Sequence, residues 1–463
     1  MTGTQRAQKG ISGRLKEETN MKSTVWTWIA TMSLFTPLAM PVGVVAQEQS
    51  VTQGKNRKSV RYTITDLGTL EDGTFSQPFS INRYGLVSGS SNLPDGNQHA
   101  TLWLEKLKVD IGAPGLGGPN SIAFGDNEGF QSAGEAETST PDPNGEDFCG
   151  FGTHLTCLPF LWQDGEMIQL STLGGNNGVA MAISNRGVVA GLAENSTPDT
   201  GCPAPQVLHF EPVVWEKGAI HKLPTVGGDP DGVAQEINDN GQVVGGSGTC
   251  ATFNTNFLYN LVPVHALLWE KGKATDLGTL GGKTGQAGGN IAYNINHQGQ
   301  VVGNSDLPGD TTFHAFLWTR RTGMQDLGAL SGDVASVSIS INDAGAVVGA
   351  SLDAKFNPRA FLWKGGVMTD LNTLIAGHSP LYLMTGCSIN SRGEITGLGM
   401  TSTGEIHTYL ATPKSRDGGE SAAPSAQAGN SESANVVLPE NVREHLQQQL
   451  RFGRFAVGLM GPQ

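Results

Sequence analysis

Cysteine is the first residue type in this sequence with chemistry to offer. There are five, at Cys149, Cys157, Cys202, Cys250 and Cys387. Thiolates can ligate zinc or pair as disulfides, and spacing separates the two readings. No C-x2-C pair is present, which argues against zinc as the alternative. Four of the cysteines admit three connectivities, and the expected pairs are Cys149 with Cys157 and Cys202 with Cys250. Cys149 and Cys157 flank Gly150-Phe151-Gly152, so a turn can bring their Cα atoms within bridging distance. Cys202 and Cys250 each fall a few residues beyond the second glycine of consecutive repeat units, at Gly191 and Gly245. Cys387 has small neighbours and is expected to remain an unbridged, buried thiol in an innermost strand.

Histidine recurs more regularly. His99, His265, His314 and His407 each open a short apolar stretch, and Leu158, Glu211 and Arg359 hold the same position in three other copies. If these stretches are third strands of separate sheets, the histidines stand about 9–10 Å out from each innermost strand and diverge. They cannot share one ion at a bond of about 2 Å, so a structural hydrogen bond to a neighbouring loop is expected of each. The acidic run Asp142-Pro143-Asn144-Gly145-Glu146-Asp147 offers oxygens for Ca²⁺ but lacks the twelve-residue calcium pattern, so it reads as a polar turn. No G-x-S-x-G, H-E-x-x-H or phosphate-loop motif occurs, and no catalytic residue, metal or cofactor is expected.

What would position these residues is a repeat. Trp103, Trp162, Trp215, Trp269, Trp318 and Trp363 are spaced by 59, 53, 54, 49 and 45 residues. Upstream of each stands a turn of the form I-N-x-x-G, then an apolar pair and a second glycine, as in INDNGQVVG from Ile237 and INDAGAVVG from Ile341. The second copy, FGDNEGFQSAG from Phe124, reads as degenerate with one extra residue. Downstream of each Trp comes a glycine turn and a strand ending near Asp-Leu-Gly. Each unit thus supplies four short strands, with Asn and Gly tolerating positive φ in the first turn. Units of about 50 residues with four strands predict an all-β fold, a seven-bladed β-propeller. The six tryptophans and four histidines take structural roles in it. A seventh copy stops at Ala411 without its fourth strand, while an orphan strand, 61–68, precedes the first. The N-terminal strand is therefore expected to close the last blade and remove an open edge.

HAFLW followed by M-x-D-L-G, T-L-G-G and I-N-x-x-G-Q-V-V-G, best preserved over His265–Val302 and His314–Val348, resembles the HAF-repeat family of probable extracellular bacterial proteins. The resemblance covers about 60–411 and implies a repeat architecture outside the cell, with almost nothing about activity.

The ends differ in composition. Residues 1–46 form an N-terminal extension and a signal peptide. Its apolar core is VWTWIATMSLFTPLAM, with cleavage expected after Ala46. Residues 47–59 lead into a propeller at 60–412. A polar linker follows at 413–434, and then a tail at 435–463 whose Val442, Leu446 and Leu450 share one helical face. No other stretch is long and apolar enough to span a bilayer, so no transmembrane helix is expected in the mature chain. With 64 glycines, 15% charged residues and a net charge of −13, the chain is neither collagen nor wholly disordered, and it is a poor nucleic-acid binder. The second-to-third loops are long at about 135–157, 194–210 and 248–264, which elaborates one face over blades 2 to 4. The expected function is an exported module that binds a glycan or protein through that face. A hydrolase or lyase at the mouth of the central channel, and a purely structural surface protein, are the rivals. Of the innermost-strand residues, Glu236 and Tyr293 stand out but form no constellation.

Overall fold

The computed structural model describes residues 60–414, except 106, 203, 205, 251–260 and 286. The expected signal peptide, the leader 47–59, most of the linker and the C-terminal tail lie outside the described residues. Seven four-stranded antiparallel sheets form a β-propeller. In blade 1 the strands are Ser76–Ile81, Val87–Asn92, Gln98–Leu104 and Leu107–Asp110, and blades 2 to 6 repeat the order. First strands of neighbouring blades touch all the way round, the last with the first, so they line the axis. Among the described residues no helix is long and apolar enough to cross a membrane.

Closure is by the N-terminal strand. Tyr62–Asp66 pairs antiparallel with Ile406–Pro413, in register from Tyr62 with Pro413 to Asp66 with Tyr409. It is the outermost strand of blade 7, whose innermost strand is broken into Tyr382–Leu383 and Ser388–Ile389. The chain's two ends are thereby tied into one sheet, and the last blade has no open outer edge where a fourth strand is missing.

One device repeats in the first strand. The pairing register slips by one residue at Phe79, Phe124, Met181, Gln235, Tyr293 and Ile339. Cys387 stands at the same place in blade 7, two residues before Ile389. These bulges turn large side chains inward, and all but Gln235 belong to one apolar cluster that the innermost strands share with residues of the second and third strands. Phe79 and Phe124 meet edge to face there, with ring centroids 4.7 Å apart. At the level of the bulges the centre of the ring is packed. The bulge also explains the second glycine of each copy. A Cβ on Gly89, Gly191, Gly245 or Gly303 would overlap the first-strand carbonyl of Gln77, Val179, Val233 or Ile291.

The tryptophans wedge neighbouring blades together. Trp103 packs with Leu67, Ile81 and Val87, joining blade 1 to blade 7. Trp215 packs with Ala133 of blade 2, Trp269 with Ala190 of blade 3, and Trp318 with Val244 of blade 4. Trp363 is half-buried against Val302 of blade 5, and Trp162 is buried. Two indoles also donate to the linker preceding their own blade: Trp215 Nε1 to the Ser171 carbonyl at 2.8 Å and Trp269 Nε1 to that of Pro224 at 2.6 Å.

Candidate functional site

The first hairpin turn of each blade builds the site. Asn82 illustrates it: its Oδ1 accepts from the N–H groups of Tyr84 at 2.9 Å and Leu86 at 3.1 Å, which locks a three-residue turn. The asparagine does not take positive φ; Gly85 does, at 87°. This corrects the expected role of Asn in the motif, which is hydrogen bonding rather than left-handed backbone. In blade 2 the register also differs from expectation. Asn127, not Asp126, is the motif's asparagine, and Phe130 takes the glycine's left-handed place at φ 60°. There is no extra residue, and Asp126 falls where six other copies have Ile.

The other end of each carboxamide reaches the next blade. Nδ2 of Asn82 donates to the Asn127 carbonyl at 3.1 Å, and Asn127 donates to that of Ser184 at 3.0 Å. Asn238 donates to Asn296, Asn296 to Asn342, Asn342 to Asn390 and Asn390 back to Asn82, at 3.0 to 3.1 Å. Only blade 3, with Ser184 in the asparagine's place, lacks the amide. The girdle surrounds a cavity of about 200 Å³ at the axis.

Above the girdle, the residues that follow the asparagine position form an arc from blade 1 to blade 6. Arg83 pairs with Glu128 at 2.5 Å, the Glu128 N–H donates to Asn185, and Asn185 Nδ2 donates to Asp239 at 2.8 Å. His297 then bridges Asp239, 3.0 Å from Nε2, and Asp343, 3.1 Å from Nδ1. Only a doubly protonated imidazolium donates to both. The Asp239 hydrogen bond raises the His297 pKa above its ordinary value, against the opposing effect of burial. Next to this rim, the half-buried rings of Tyr84 and Phe130 stack with centroids 5.4 Å apart.

Asp126 and Glu236 line the cavity with Ser80, Asn294, Ser340 and Ser388. Asp126 accepts from Ser88 Oγ at 3.1 Å. Burial pushes it up to about 7, against hydrogen bonds from Ser80 and Ser88, and the Glu128 and then the Glu236 charge add to the rise. Asn294 Nδ2 donates to Glu236 at 2.8 Å. The sequence reading singled out Glu236 but not Asp126.

The elaborated face lies at the opposite end of the second strands, and the insertions of blades 2 and 3 begin and end as strand around a loop. Ser132–Pro141 with Leu155–Gln163, and Val189–Pro198 with Leu208–Glu216, extend well beyond the six- and seven-residue strands of blade 1. Cys157 sits in a third strand and Cys250 ends a second strand, so not all four cysteines lie in loops. Cys149 is bonded to Cys157, with Cα atoms 6.1 Å apart, and Cys202 to Cys250, at 5.0 Å. Cys387 is buried and outside any disulfide. The acidic run is folded inward. Asp142 Oδ1 accepts from the N–H groups of Asn144 and Glu146, and Asn177 Nδ2 donates to Asp142 at 2.9 Å and to Glu194 at 3.0 Å. Gln206 Nε2 bridges Glu146 and Glu194. Burial first, and then the Glu146 charge, push Glu194 well above the usual carboxylate range. These groups are occupied with one another.

The third-strand histidines pair with aspartates. His99 meets Asp110 at 2.8 Å, His314 Asp326 at 3.0 Å and His407 Asp66 at 2.9 Å, each on the outermost strand of its own blade. Only His265 reaches a loop between blades, at Asp229, 2.7 Å away.

No family model and no curated protein sequence matches the chain. Solved structures give distant likenesses. The extracellular domain of a one-component system protein from B. thetaiotaomicron is 8% identical, with 75% of this chain on 39% of that one and a TM-score of 0.41. Streptogramin B lyase is 9% identical, with 76% of this chain on 98% of that one and a TM-score of 0.38. TolB from Acinetobacter baumannii is 11% identical, with 70% on 63% and a TM-score of 0.35.

Proposed function

We propose that the protein is an exported HAF-repeat propeller that binds a polyhydroxylated ligand, a glycan, at the mouth ringed by asparagines. One observation carries the reading: the cavity at the axis is lined by carboxylates, carboxamides and hydroxyls drawn from all seven blades. The girdle asparagines are engaged with the turns and with the next blade, so the carboxylates and hydroxyls of the lining are what would meet a ligand rich in hydroxyl groups. The stacked rings of Tyr84 and Phe130, with the Arg83 guanidinium over Tyr84, stand beside it. A protein partner would be expected to seat aromatic or aliphatic anchors on an apolar patch. Among the described residues the exposed large hydrophobics are scattered valines, Leu107 and Ile168, and no patch of that kind is visible. Two disulfides suit an oxidising compartment, which supports export.

In this reading the ligand is taken at the mouth rather than at the elaborated face, where Asp142, Glu146 and Glu194 are engaged by Asn177 and Gln206. A second reading, a hydrolase or lyase, is favoured by Asp126 and Glu236 lining one cavity with the Asp126 pKa about 7, the range of a general acid.

The test is a glycan array and envelope-fraction retention assay on the mature propeller, beside Asp239→Ala and Asn294→Ala variants that alter the mouth. Retention lost in both variants without substrate turnover supports the module. Turnover abolished by Asp126→Asn supports the enzyme. Retention unchanged in both variants removes the mouth as the site.

A further inference from the structure

His209 differs from every other histidine–aspartate pair described above. Its Nδ1 lies 3.0 Å from Asp231 Oδ1 and 3.4 Å from Asp199 Oδ2. The two aspartate side chains are 0% and 8% exposed. Elsewhere a histidine serves one carboxylate, or, as at His297, offers a separate ring nitrogen to each. One N–H cannot serve two acceptors well, so a second buried carboxylate on the same nitrogen is left poorly compensated. Asp231 Oδ1 also accepts from the Phe210 N–H, while Asp231 Oδ2 is sealed from solvent without a hydrogen-bond partner. Asp199 Oδ1 is engaged by the Gly201 N–H at 2.8 Å, which turns Oδ2 toward His209. Burial, with the Asp199 charge contributing, raises the Asp231 pKa.

We propose that Asp199, His209 and Asp231 form a divalent-cation site of the zinc class between blades 3 and 4, on the face opposite the mouth. The three ligand atoms lie within 4.8 Å of one another. Ligands bonded to a tetrahedral Zn²⁺ at about 2.0–2.2 Å stand about 3.4 Å apart, close to the spacings present. A cation at their centre neutralises both carboxylates at once, which one proton does not. The imidazole nitrogen selects against Ca²⁺, which takes six to eight oxygens. Three protein ligands leave a fourth position open, which in zinc proteins is where a water or a ligand group binds. The elements are held firmly. Asp199 begins the loop that the Cys202–Cys250 disulfide ties to blade 4, His209 lies in the third strand of blade 3, and Asp231 opens the first strand of blade 4.

The experiment titrates the mature protein, with disulfides intact and stripped by EDTA, with Zn²⁺ by calorimetry and against a chromophoric chelator. One equivalent should bind, weakened at least about tenfold by Asp231→Asn and by His209→Gln. Co²⁺ in its place should give the visible absorption of a four-coordinate ion. Asp199→Asn, in a loop, tests the site with least risk to folding and should also lose the metal. In the stripped protein Asp231→Asn should raise the melting temperature, because it removes a buried uncompensated charge. If Asp231 only anchors His209, the same change lowers it. No uptake of Zn²⁺ by the wild type, uptake unchanged in the variants, or preference for Ca²⁺ overturns the proposal.

Discussion

Asn390 Nδ2 donates to the main-chain carbonyl of Asn82 across 308 positions of sequence, at 3.0 Å. That bond joins blade 7 to blade 1, so the asparagine girdle crosses the seam of the ring as well as the blades joined in sequence. Each amide does two jobs, since its oxygen locks the local turn and its nitrogen holds the next blade. Asn296→Ala would strip partners from the N–H groups of Gln298 and Gln300 and from the Asn342 carbonyl. A loss of about 2–3 kcal/mol in urea unfolding is expected. Ser184→Asn should supply the one missing amide and stabilise by about 1 kcal/mol. A destabilised Ser184→Asn protein would show that blade 3 cannot accommodate the link.

Asp126 sits where six blades place Ile, with Ser88 and Ser80 as its hydrogen-bond partners. Its pKa of about 7 lies above the unfolded value of 3.8. The unfolded chain therefore releases this proton first, and stability falls as pH rises from about 4 to 7, then levels. Asp126→Ile should restore the repeat and stabilise by on the order of 2–4 kcal/mol at pH 8, with little gain at pH 4. Urea midpoints at the two pH values decide it. If the same variant loses glycan retention, the residue is held there for binding at the expense of stability.

The propeller was legible because tryptophan, the N-x-x-G turn and the second glycine recur at blade spacing, each for a local steric reason. Where local chemistry deviates, the reading slipped. Phe130 occupies a left-handed position that pattern matching assigns to glycine, so blade 2 was misaligned and Asp126 was hidden. The insertions at 135–157 and 194–210 are loops through their middles, but their ends pair as strand, Glu137 with Cys157 and Glu194 with Phe210, and that pairing depends on a partner distant in sequence. The mouth could not be read from one copy, because it exists only when seven turns meet. A signal was present: the residues after the asparagine position run Arg83, Glu128, Asn185, Asp239, His297, Asp343 and Ser391, a polar series at constant phase.

The rim should respond to pH through His297. Its folded pKa is raised by the Asp239 hydrogen bond, so its contribution is complete below the unfolded value of about 6.5 and fades as pH rises through the folded value. Desolvation alone would raise Asp239, but the His297 and Asn185 hydrogen bonds outweigh it and hold its pKa down. That part fades only in acid. Wild type should exceed His297→Gln in stability by about 0.5 kcal/mol or less below pH 6.5, since the pair is solvent-screened, and by nothing at high pH. A difference that grows with pH would contradict the imidazolium bridge.

Deleting residues 60–68 should open the ring. Tyr62 and Ile64 are buried, and Asp66 pairs with His407. Their loss exposes Ile406–Pro413 as an unpaired edge, which favours self-association. Light scattering and melting of the truncated protein report on it; a monomer with unchanged melting would mean the N-terminal strand contributes nothing.

The two disulfides should differ in worth because they close loops of different length. Cys149 and Cys157 are separated by 8 residues, and Cys202 and Cys250 by 48. Loop-closure entropy alone gives about 2.5 kcal/mol for the short loop and about 4 kcal/mol for the long one. The longer bridge also ties blade 3 to blade 4, adding a covalent link to the hydrogen bonds from Phe210 to Asp231 and from Asn185 to Asp239, whereas the shorter one stays within blade 2. Paired Cys→Ala variants should therefore lose more stability at Cys202 and Cys250 than at Cys149 and Cys157. Peptide mapping of the non-reduced protein should recover those two pairs, with Cys387 alkylated only after unfolding because it is wholly buried. Rapid alkylation of Cys387 in the native protein, or a peptide joining it to a cysteine of the far face, would contradict its place in the packed centre.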